Sequence, residues 1–427
     1  MNYRITGAKL LLYKDDKFVI EDQDLYIKGN VIASVGAEPA GVSGAWEDMD
    51  ARDRLVMPGL INMHTHAYMT CLRNYADDVP FGVWLFDRIA PAEDRITPET
   101  AYAANLLAFS EMFRTGTTTY VDMHMFRGMS PGAAKAAGIR AYIGRGLVGK
   151  DLYEDGRSRF EEALSEQAEF ESDTIRFTLA PHAIYTCSPK FYEQVSLEAE
   201  KRGLLKQTHL SESVTELQDC LDQYGKTPVE IMRDTGFLSG GAILAHCVQM
   251  QGNDIAMIKE SGSTVVTNPA SNAKLGNGFA PVTAFRNAGV NLCLGTDGTA
   301  SNNTLNMFRE MGLLTLIHKG ITKDPTALPA QEVLAAVTVN AAKALNMEGK
   351  LGVIREGALA DLIFLDLKAP SLYPNNNILS SLCYSANGSE VTDVMVDGRF
   401  TLKAGELQTI DMDEVYGTLG GTEGVSL

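Results

Sequence analysis

The stretch MPGLINMHTH, residues 57–66, decides the predicted fold. A Pro-Gly turn signal is followed by a nearly continuous apolar run, which ends in two histidines spaced two residues apart. Runs of this kind are typical of strands that are buried on both faces of a sheet. Residues i and i+2 of a strand share one face, so the imidazoles of His64 and His66 would project to the same side. We therefore predict a buried strand over Leu60–His66.

Seven further apolar runs follow this strand, and each is succeeded by sequence with helical character. A strand and a helix repeated eight times predict a closed parallel (β/α)₈ TIM-type barrel. Ser/Thr-Pro pairs mark helix starts at Thr97-Pro98, Ser188-Pro189 and Thr227-Pro228, and a last helical stretch covers Pro329–Leu345. The seven runs are Thr117–Met123, Ala141–Leu147, Ile175–His182, Leu205–Glu212, Ala242–Cys247, Thr264–Pro269 and Val290–Asp297.

Both ends of the chain have a different texture from the middle. Short apolar or alternating segments such as Ala8–Tyr13 and Val391–Val396 are separated by Gly and Asp turn signals. We predict a small discontinuous β-sandwich domain built from residues 1–57 and 350–427, with the catalytic barrel over residues 58–349.

Composition excludes several classes of partner and indicates a cellular location. The 427 residues include 54 acidic and 37 basic ones, for a net charge of −17, so we expect neither nucleic-acid nor membrane partners. No apolar run reaches the roughly 18 residues of a membrane span, and the N-terminus has no signal-peptide pattern. Six scattered cysteines favour a reducing, cytoplasmic location. The sequence leaves the oligomeric state open and is compatible with a homo-oligomer.

Reactive residues concentrate at the predicted carboxyl ends of the barrel strands, where this fold builds its active sites. Five of the seven histidines fall there, together with Glu212 and Asp297. His64, His66, His209 and Asp297 would form a nitrogen and oxygen site for one divalent ion. Zn²⁺ is the leading candidate, with Fe²⁺ and Mn²⁺ as alternatives. The five histidines are His64, His66, His182, His209 and His246.

Each of these residues also has a simpler explanation. His64 and His66 could be ordinary polar residues at a strand end, and Asp297 lies in a Gly-Thr-Asp-Gly sequence that is typical of turns. Glu212 could cap the helix that follows it. The shared placement of these residues at strand ends favours the metal site.

Several of these motifs resemble those of a known family. Residues 57–66 are similar to the opening motif of the amidohydrolase superfamily, and His209, His246 and Asp297 match its later motifs in order. No lysine stands at the end of the fourth strand, where binuclear members carry a carboxylated one. The resemblance therefore implies the mononuclear deaminase and chlorohydrolase branch.

Finer features lie in the stretches Trp84-Leu85, Pro91-Ala92-Glu93, Ala180-Pro181-His182, His209-Leu210-Ser211-Glu212 and Gly295-Thr296-Asp297-Gly298. These stretches resemble those of the 5-methylthioadenosine/S-adenosylhomocysteine deaminases. The resemblance implies hydrolytic deamination of 5′-methylthioadenosine, S-adenosylhomocysteine, 5′-deoxyadenosine or adenosine to the inosine analogue and ammonia. Asp297 would act as ligand and base, His246 would orient the attacking water, and Glu212 would protonate N1 of the purine. The implied substrate contacts are Trp84 near the nucleoside, Glu93 at the ribose hydroxyls, His182 and Glu212 at the purine, and Arg145 and Arg157 at the 5′ substituent.

Two other functions remain open at this stage. The first is another enzyme of the same branch, a guanine or other purine-base deaminase or a triazine-type chlorohydrolase. Glu93 argues against it, because a ribose-binding carboxylate has no use with a free base. The second is a catalytically silent barrel scaffold, which would have no reason to keep the complete set of site residues.

Overall fold

The computed structural model describes residues 1–39 and 45–421. Its strands form two separate sheets, one of eight strands and one of nine. The strands are β1 (Asn2–Lys14), β2 (Lys17–Lys28), β3 (Val31–Val35), β4 (Glu47–Asp50), β5 (Arg54–Pro58), β6 (Leu60–Thr65), β7 (Thr117–His124), β8 (Arg140–Leu147), β9 (Ile175–Pro181), β10 (Leu205–Leu210), β11 (Ile243–His246), β12 (Thr264–Thr267), β13 (Asn291–Leu294), β14 (Leu362–Asp366), β15 (Val391–Val396), β16 (Arg399–Lys403) and β17 (Glu406–Leu407).

Strands β6 to β13 lie side by side in chain order, and every paired neighbour is parallel. The first and last strands meet through hydrogen bonds. The backbone N of Asp297 donates to the His64 carbonyl at 2.9 Å, and the side chains of Asn62 and Thr296 bond to each other at 2.7 Å. The predicted (β/α)₈ barrel is confirmed. Six of the eight apolar runs contain a complete strand, and the other two match β7 and β8 to within one residue at one end.

Helices follow the barrel strands and cover their outer faces. The Ser/Thr-Pro signals cap α2, α5 and α7 as predicted, because Thr97, Ser188 and Thr227 each accept a hydrogen bond from a first-turn backbone N–H. The α-helices are α1 (Ala90–Glu93), α2 (Pro98–Arg114), α3 (Met129–Ala137), α4 (Arg157–Phe170), α5 (Pro189–Arg202), α6 (Val214–Tyr224), α7 (Pro228–Asp234), α8 (Asp254–Ser261), α9 (Pro269–Lys274), α10 (Val282–Ala288), α11 (Thr299–Asn302), α12 (Met307–Thr322), α13 (Ala330–Ala336), α14 (Val339–Ala344), α15 (Ile378–Tyr384) and α16 (Met412–Gly421).

Two non-α helices lie at the carboxyl-end face of the barrel. A 3₁₀ helix over Ala67–Leu72 begins directly after His66, and a π-helix covers Val83–Ile89. Single-turn π-helices are rare and often occur at functional sites.

The second sheet is mixed and takes strands from both termini, in the order β17-β16-β15-β14-β5-β1-β2-β3, with β4 beside β1. This confirms the predicted separate β-rich unit. Only Gly59 separates β5 of this sheet from β6 of the barrel. A Cβ at Gly59 would lie 2.1 Å from the Thr118 hydroxyl, so only glycine fits this crossing. The domain boundaries at residues 57/58 and 349/350 stay a prediction.

One predicted element differs in the structure. The helical stretch Pro329–Leu345 is divided into α13 and α14, with Val337 and Thr338 between them. The Val337 carbonyl accepts a hydrogen bond from the Ile61 backbone N at 2.9 Å, which joins this break to the first barrel strand. A helical periodicity cannot reveal such a long-range contact. Within residues 1–39 and 45–421, no helix combines the length and apolar character needed to cross a bilayer.

Candidate active site

Three histidines from two barrel strands converge at the carboxyl-end face. His64 lies in β6, His66 follows it, and His209 lies across the barrel in β10. The Nε2 atoms of His66 and His209 are 3.1 Å apart. All three side chains are buried, and one nitrogen of each lies within 4.8 Å of those of the others. The described residues thus contain a histidine cluster that could hold a metal ion.

The Nδ1 atoms of His66 and His209 form hydrogen bonds with backbone carbonyls outside the cluster. His66 Nδ1 donates to the Met123 carbonyl at 2.7 Å, and His209 Nδ1 donates to the His182 carbonyl at 2.8 Å. Both Nε2 lone pairs therefore point at the same centre, the arrangement that metal-binding histidines show. Burial lowers the pKa of His64 to about 4, and its buried Nε2 has no hydrogen-bond partner among the described residues. This donor set fits a divalent cation.

Asp297 completes the cluster from the end of β13. Its Oδ1 lies 3.5 Å from the Nε2 atoms of both His64 and His66. The Oδ2 atom accepts hydrogen bonds from the hydroxyls of Ser271 at 2.6 Å and Ser301 at 2.8 Å. Burial alone would raise the pKa of Asp297, but the surrounding imidazoles, His64 first, hold it well below its usual value. Asp297 is therefore a carboxylate aimed at the histidines, so it is more than a turn residue.

Glu212 and His246 lie beside the cluster. Glu212 Oε2 is 3.8 Å from His246 Nε2, and Asn277 Nδ2 donates to Glu212 Oε1 at 3.0 Å. Burial and then the Asp297 charge raise the pKa of Glu212 well above its usual value, which favours the protonated form of this carboxyl group. Ser213, one residue later, caps α6. The capping explanation for Glu212 therefore does not hold.

The peptide that carries Glu212 is held by a second buried carboxylate. Glu216 in α6 accepts hydrogen bonds from the backbone N–H groups of Ser211 at 2.8 Å and Glu212 at 2.7 Å. His246 is held by a side chain of α9, because its Nδ1 donates to Asn272 Oδ1 at 2.8 Å. Glu216 and Asn272 were not among the residues predicted from sequence. Ser213 and Glu216 have the Ser-x-x-Glu spacing of a capping box, which marks the start of α6 but does not reveal that Glu216 holds the Glu212 peptide.

A cavity of about 50 Å³ opens next to these groups. Trp84 from the π-helix forms part of its wall and donates from Nε1 to the Ala300 carbonyl at 3.2 Å. Glu93 lies at another wall and accepts a hydrogen bond from the Tyr68 hydroxyl. Burial raises the pKa of Glu93. The cavity is lined by His66, Tyr68, Met69, Phe81, Trp84, Leu85, Glu93, Met125, His182, Tyr185, His209, Glu212, His246 and Asp297.

The two predicted arginines do not lie in this lining. Arg145 is buried and pairs with Glu162, with its Nη2 2.7 Å from Glu162 Oε2. Arg157 is exposed at the start of α4 and donates to the Tyr153 carbonyl at 2.8 Å. Their predicted contacts with substrate stay predictions.

Arg159, two residues further along α4, was missed by sequence reasoning. Its Nη1 donates to the Gly146 carbonyl at 3.0 Å and lies 3.2 Å from the sulfur of Met125, which lines the cavity. Residues two apart on a helix point about 200° away from each other, so Arg157 and Arg159 cannot face the same side. A prediction that α4 begins at Arg157 would have shown that Arg157 and Arg159 lie on opposite sides of the helix, and that only one of them can face the cavity.

Comparisons with known proteins agree with the site. The Amidohydrolase family profile matches residues 55–401, and the chain belongs to this family. A 5-methylthioadenosine/S-adenosylhomocysteine deaminase from Caldanaerobacter subterraneus subsp. tengcongensis is 39% identical over 423 residues, covering 97% of this chain and 96% of that protein. A 5′-deoxyadenosine deaminase from Methanosarcina mazei is 39% identical over 418 residues, covering 96% and 95% of the two chains.

A solved structure extends this likeness to three dimensions. The crystal structure of an adenosine deaminase from Xanthomonas campestris with bound zinc has a TM-score of 0.92 and 32% sequence identity, and it covers 98% of this chain and 97% of that chain. The predicted superfamily is confirmed, and so is the prediction that the chain is a hydrolytic deaminase.

Proposed function

We propose that the protein deaminates adenosine-type nucleosides and releases the inosine analogue and ammonia. The supporting observation is one cavity in which Glu212, whose pKa is raised, and Asp297, whose pKa is lowered, flank the histidine cluster, while Glu93 lines the same space. Two titratable groups whose pKa values are driven apart are typical of acid and base roles. The names of the relatives agree with this substrate class.

We propose that His64, His66, His209 and Asp297 hold one divalent ion, with zinc preferred over iron or manganese. The nitrogen-rich donor set suits zinc, and zinc is bound in the Xanthomonas campestris relative. When bound, such an ion makes water acidic enough to act as a nucleophile near neutral pH.

The protein's own residues would move the protons. Glu212, whose pKa is raised and whose carboxyl group is fixed by Asn277, would donate its proton to N1 of the purine, so that C6 becomes more electrophilic. Asp297 would take one proton of the attacking water and give it to the amino group, which leaves as ammonia. The remaining proton of the C6 hydroxyl would return to Glu212 as the C6–N bond breaks and the C6 carbonyl forms. His246 has its Nδ1 engaged by Asn272, so its Nε2 is free to accept a hydrogen bond from that water.

The cavity walls suggest how a nucleoside would bind. Trp84 would pack near the nucleoside, His182 would contact the purine and Glu93 would accept hydrogen bonds from the ribose hydroxyls. At the 5′ end, Arg159 is the best placed of three candidate arginines, because it lies against the lining residue Met125. The predicted Arg145 pairs with Glu162, and the predicted Arg157 is exposed. Small-molecule pockets usually measure roughly 300–1,000 Å³, so this cavity of about 50 Å³ has to widen before a nucleoside fits.

We also propose a cytoplasmic location. All six cysteines are free thiols, five of them buried, which suits a reducing compartment.

The test is ammonia release from metal-replete protein with adenosine, 5′-deoxyadenosine, 5′-methylthioadenosine, S-adenosylhomocysteine, adenine and guanine. We expect turnover of at least one nucleoside, none of the free bases, and loss of activity after chelation that zinc restores. Faster turnover of guanine than of every nucleoside would contradict the proposal, and so would activity that survives complete removal of metal.

A further inference from the structure

Glu310 is a buried carboxylate that lies outside the cavity and has no part in the chemistry described above. It belongs to α12 and has no exposed surface. Removing a carboxylate from water costs free energy unless hydrogen bonds compensate. The partners of Glu310 therefore indicate what it holds in place.

Both of its oxygens accept hydrogen bonds, each from a different short helix. Oε2 accepts from the backbone N–H of Ala270 in α9 at 3.0 Å, and Oε1 accepts from Asn302 Nδ2 in α11 at 2.9 Å. The N-cap residue of α9, Asn268, makes no side-chain cap, so Glu310 supplies that cap from another helix. Helices of six and four residues have little stability of their own, and their positions depend on such contacts.

These two helices hold the catalytic groups. Ser271 follows Ala270, Ser301 precedes Asn302, and both hydroxyls donate to Asp297 Oδ2. Asn272, the next residue of α9, accepts from His246 Nδ1. Asn302 Nδ2 also donates to the Thr296 carbonyl at 2.6 Å, directly before Asp297.

We infer that Glu310 is a positioning residue, which joins α9 and α11 so that Asp297 and His246 keep the orientation that deamination requires. The inference rests on the proposed function for its catalytic consequence. Its structural consequence, the orientation of the Asp297 carboxylate, affects metal binding whatever the substrate is.

Glu310→Gln is the informative substitution, because it keeps the size of the side chain and removes one acceptor. The new NH₂ group would face either the Ala270 N–H or the Asn302 amide, both of which are donors. Rotating Asn302 to relieve the conflict would break its bond to Thr296. Loss of partners that orient metal ligands typically costs about 10- to 100-fold in affinity or activity.

Glu390→Gln is a matched control. Glu390 is also buried and also accepts backbone N–H groups, from Asn387 at 3.1 Å and Gly388 at 2.9 Å, but it lies beside β15 in the terminal sheet. Both variants lose one acceptor at a buried carboxylate, so their effects on the melting temperature should be similar. Only Glu310→Gln should affect the active site.

The experiment measures kcat and KM, the equilibrium affinity of metal-free protein for Zn²⁺ and Co²⁺, and the visible spectrum of the Co²⁺ form. We expect Glu310→Gln to lower kcat about 10- to 100-fold with KM nearly unchanged, and to weaken metal binding and alter the Co²⁺ spectrum. Glu390→Gln should match the wild type in all three. Wild-type kcat, affinity and spectrum in folded Glu310→Gln would overturn the inference. If the wild type deaminates no nucleoside, the proposed function fails, while the affinity and spectrum still decide the role of Glu310.

Discussion

Two parts of the carboxyl-end face of the barrel differ in how closely the structure matches the site residues expected from sequence. On one side, β6, β10, β11 and β13 bring His64, His209, His246 and Asp297 together as expected. On the other side, β8 and α4 carry the arginines, and neither Arg145 nor Arg157 lines the cavity. Sheet register decides where the short side chains at strand ends lie. The direction of the Arg157 side chain depends instead on the residue at which α4 begins.

We expect the largest effect from Glu212, which lies on the same side as the histidine cluster. Glu212→Gln should lower kcat by about 10²–10⁴-fold, because an amide cannot transfer a proton to N1. Metal content should stay at the wild-type level, since Glu212 is not a proposed ligand. Steady-state kinetics with the best nucleoside, together with metal analysis of the purified protein, would measure both quantities.

The pH profile gives the same residue a second test. The raised pKa of Glu212 means that its carboxyl group is protonated below that pKa and ionised above it. Activity that depends on the protonated form should therefore fall as the pH rises through the raised pKa. Exposed Glu193→Gln is the control and should leave kcat unchanged. Near-normal kcat in Glu212→Gln would exclude Glu212 as the general acid.

The sequence was sufficient for the barrel because each strand is buried on both faces and appears as an apolar run. It was sufficient for the histidine cluster because strand ends meet at one face. It did not reveal the role of Glu310, whose partners Ala270 N–H and the Asn302 amide lie on two other helices, or of Glu216, which accepts from the backbone N–H groups of Ser211 and Glu212. It also missed the break between α13 and α14, which depends on the Val337–Ile61 hydrogen bond.

Glu93 should have an intermediate effect that depends on the substrate. Glu93→Gln should lower kcat/KM for nucleosides by about 10- to 100-fold, the usual value of hydrogen bonds to a charged group. The same change should matter little for a 2′,3′-dideoxynucleoside, which has no hydroxyls for the carboxylate to hold. An equal loss with both substrates would mean that Glu93 acts through Tyr68 and the cavity wall, without contacting ribose.

The smallest effect should come from substitutions in α4. These substitutions discriminate between Arg157 and Arg159. Arg159 lies against the cavity wall, whereas Arg157 points to solvent, so only Arg159→Met should change the choice of 5′ substituent. S-adenosylhomocysteine carries a carboxylate there and 5′-methylthioadenosine does not. We expect Arg159→Met to lower kcat/KM about 10-fold more for the first than for the second, as for one charge-assisted hydrogen bond. Arg157→Met, which removes an equal charge from the same helix, should leave the ratio of the two kcat/KM values unchanged. A reversed outcome would mean that α4 turns when substrate binds, and that the sequence had selected the correct arginine.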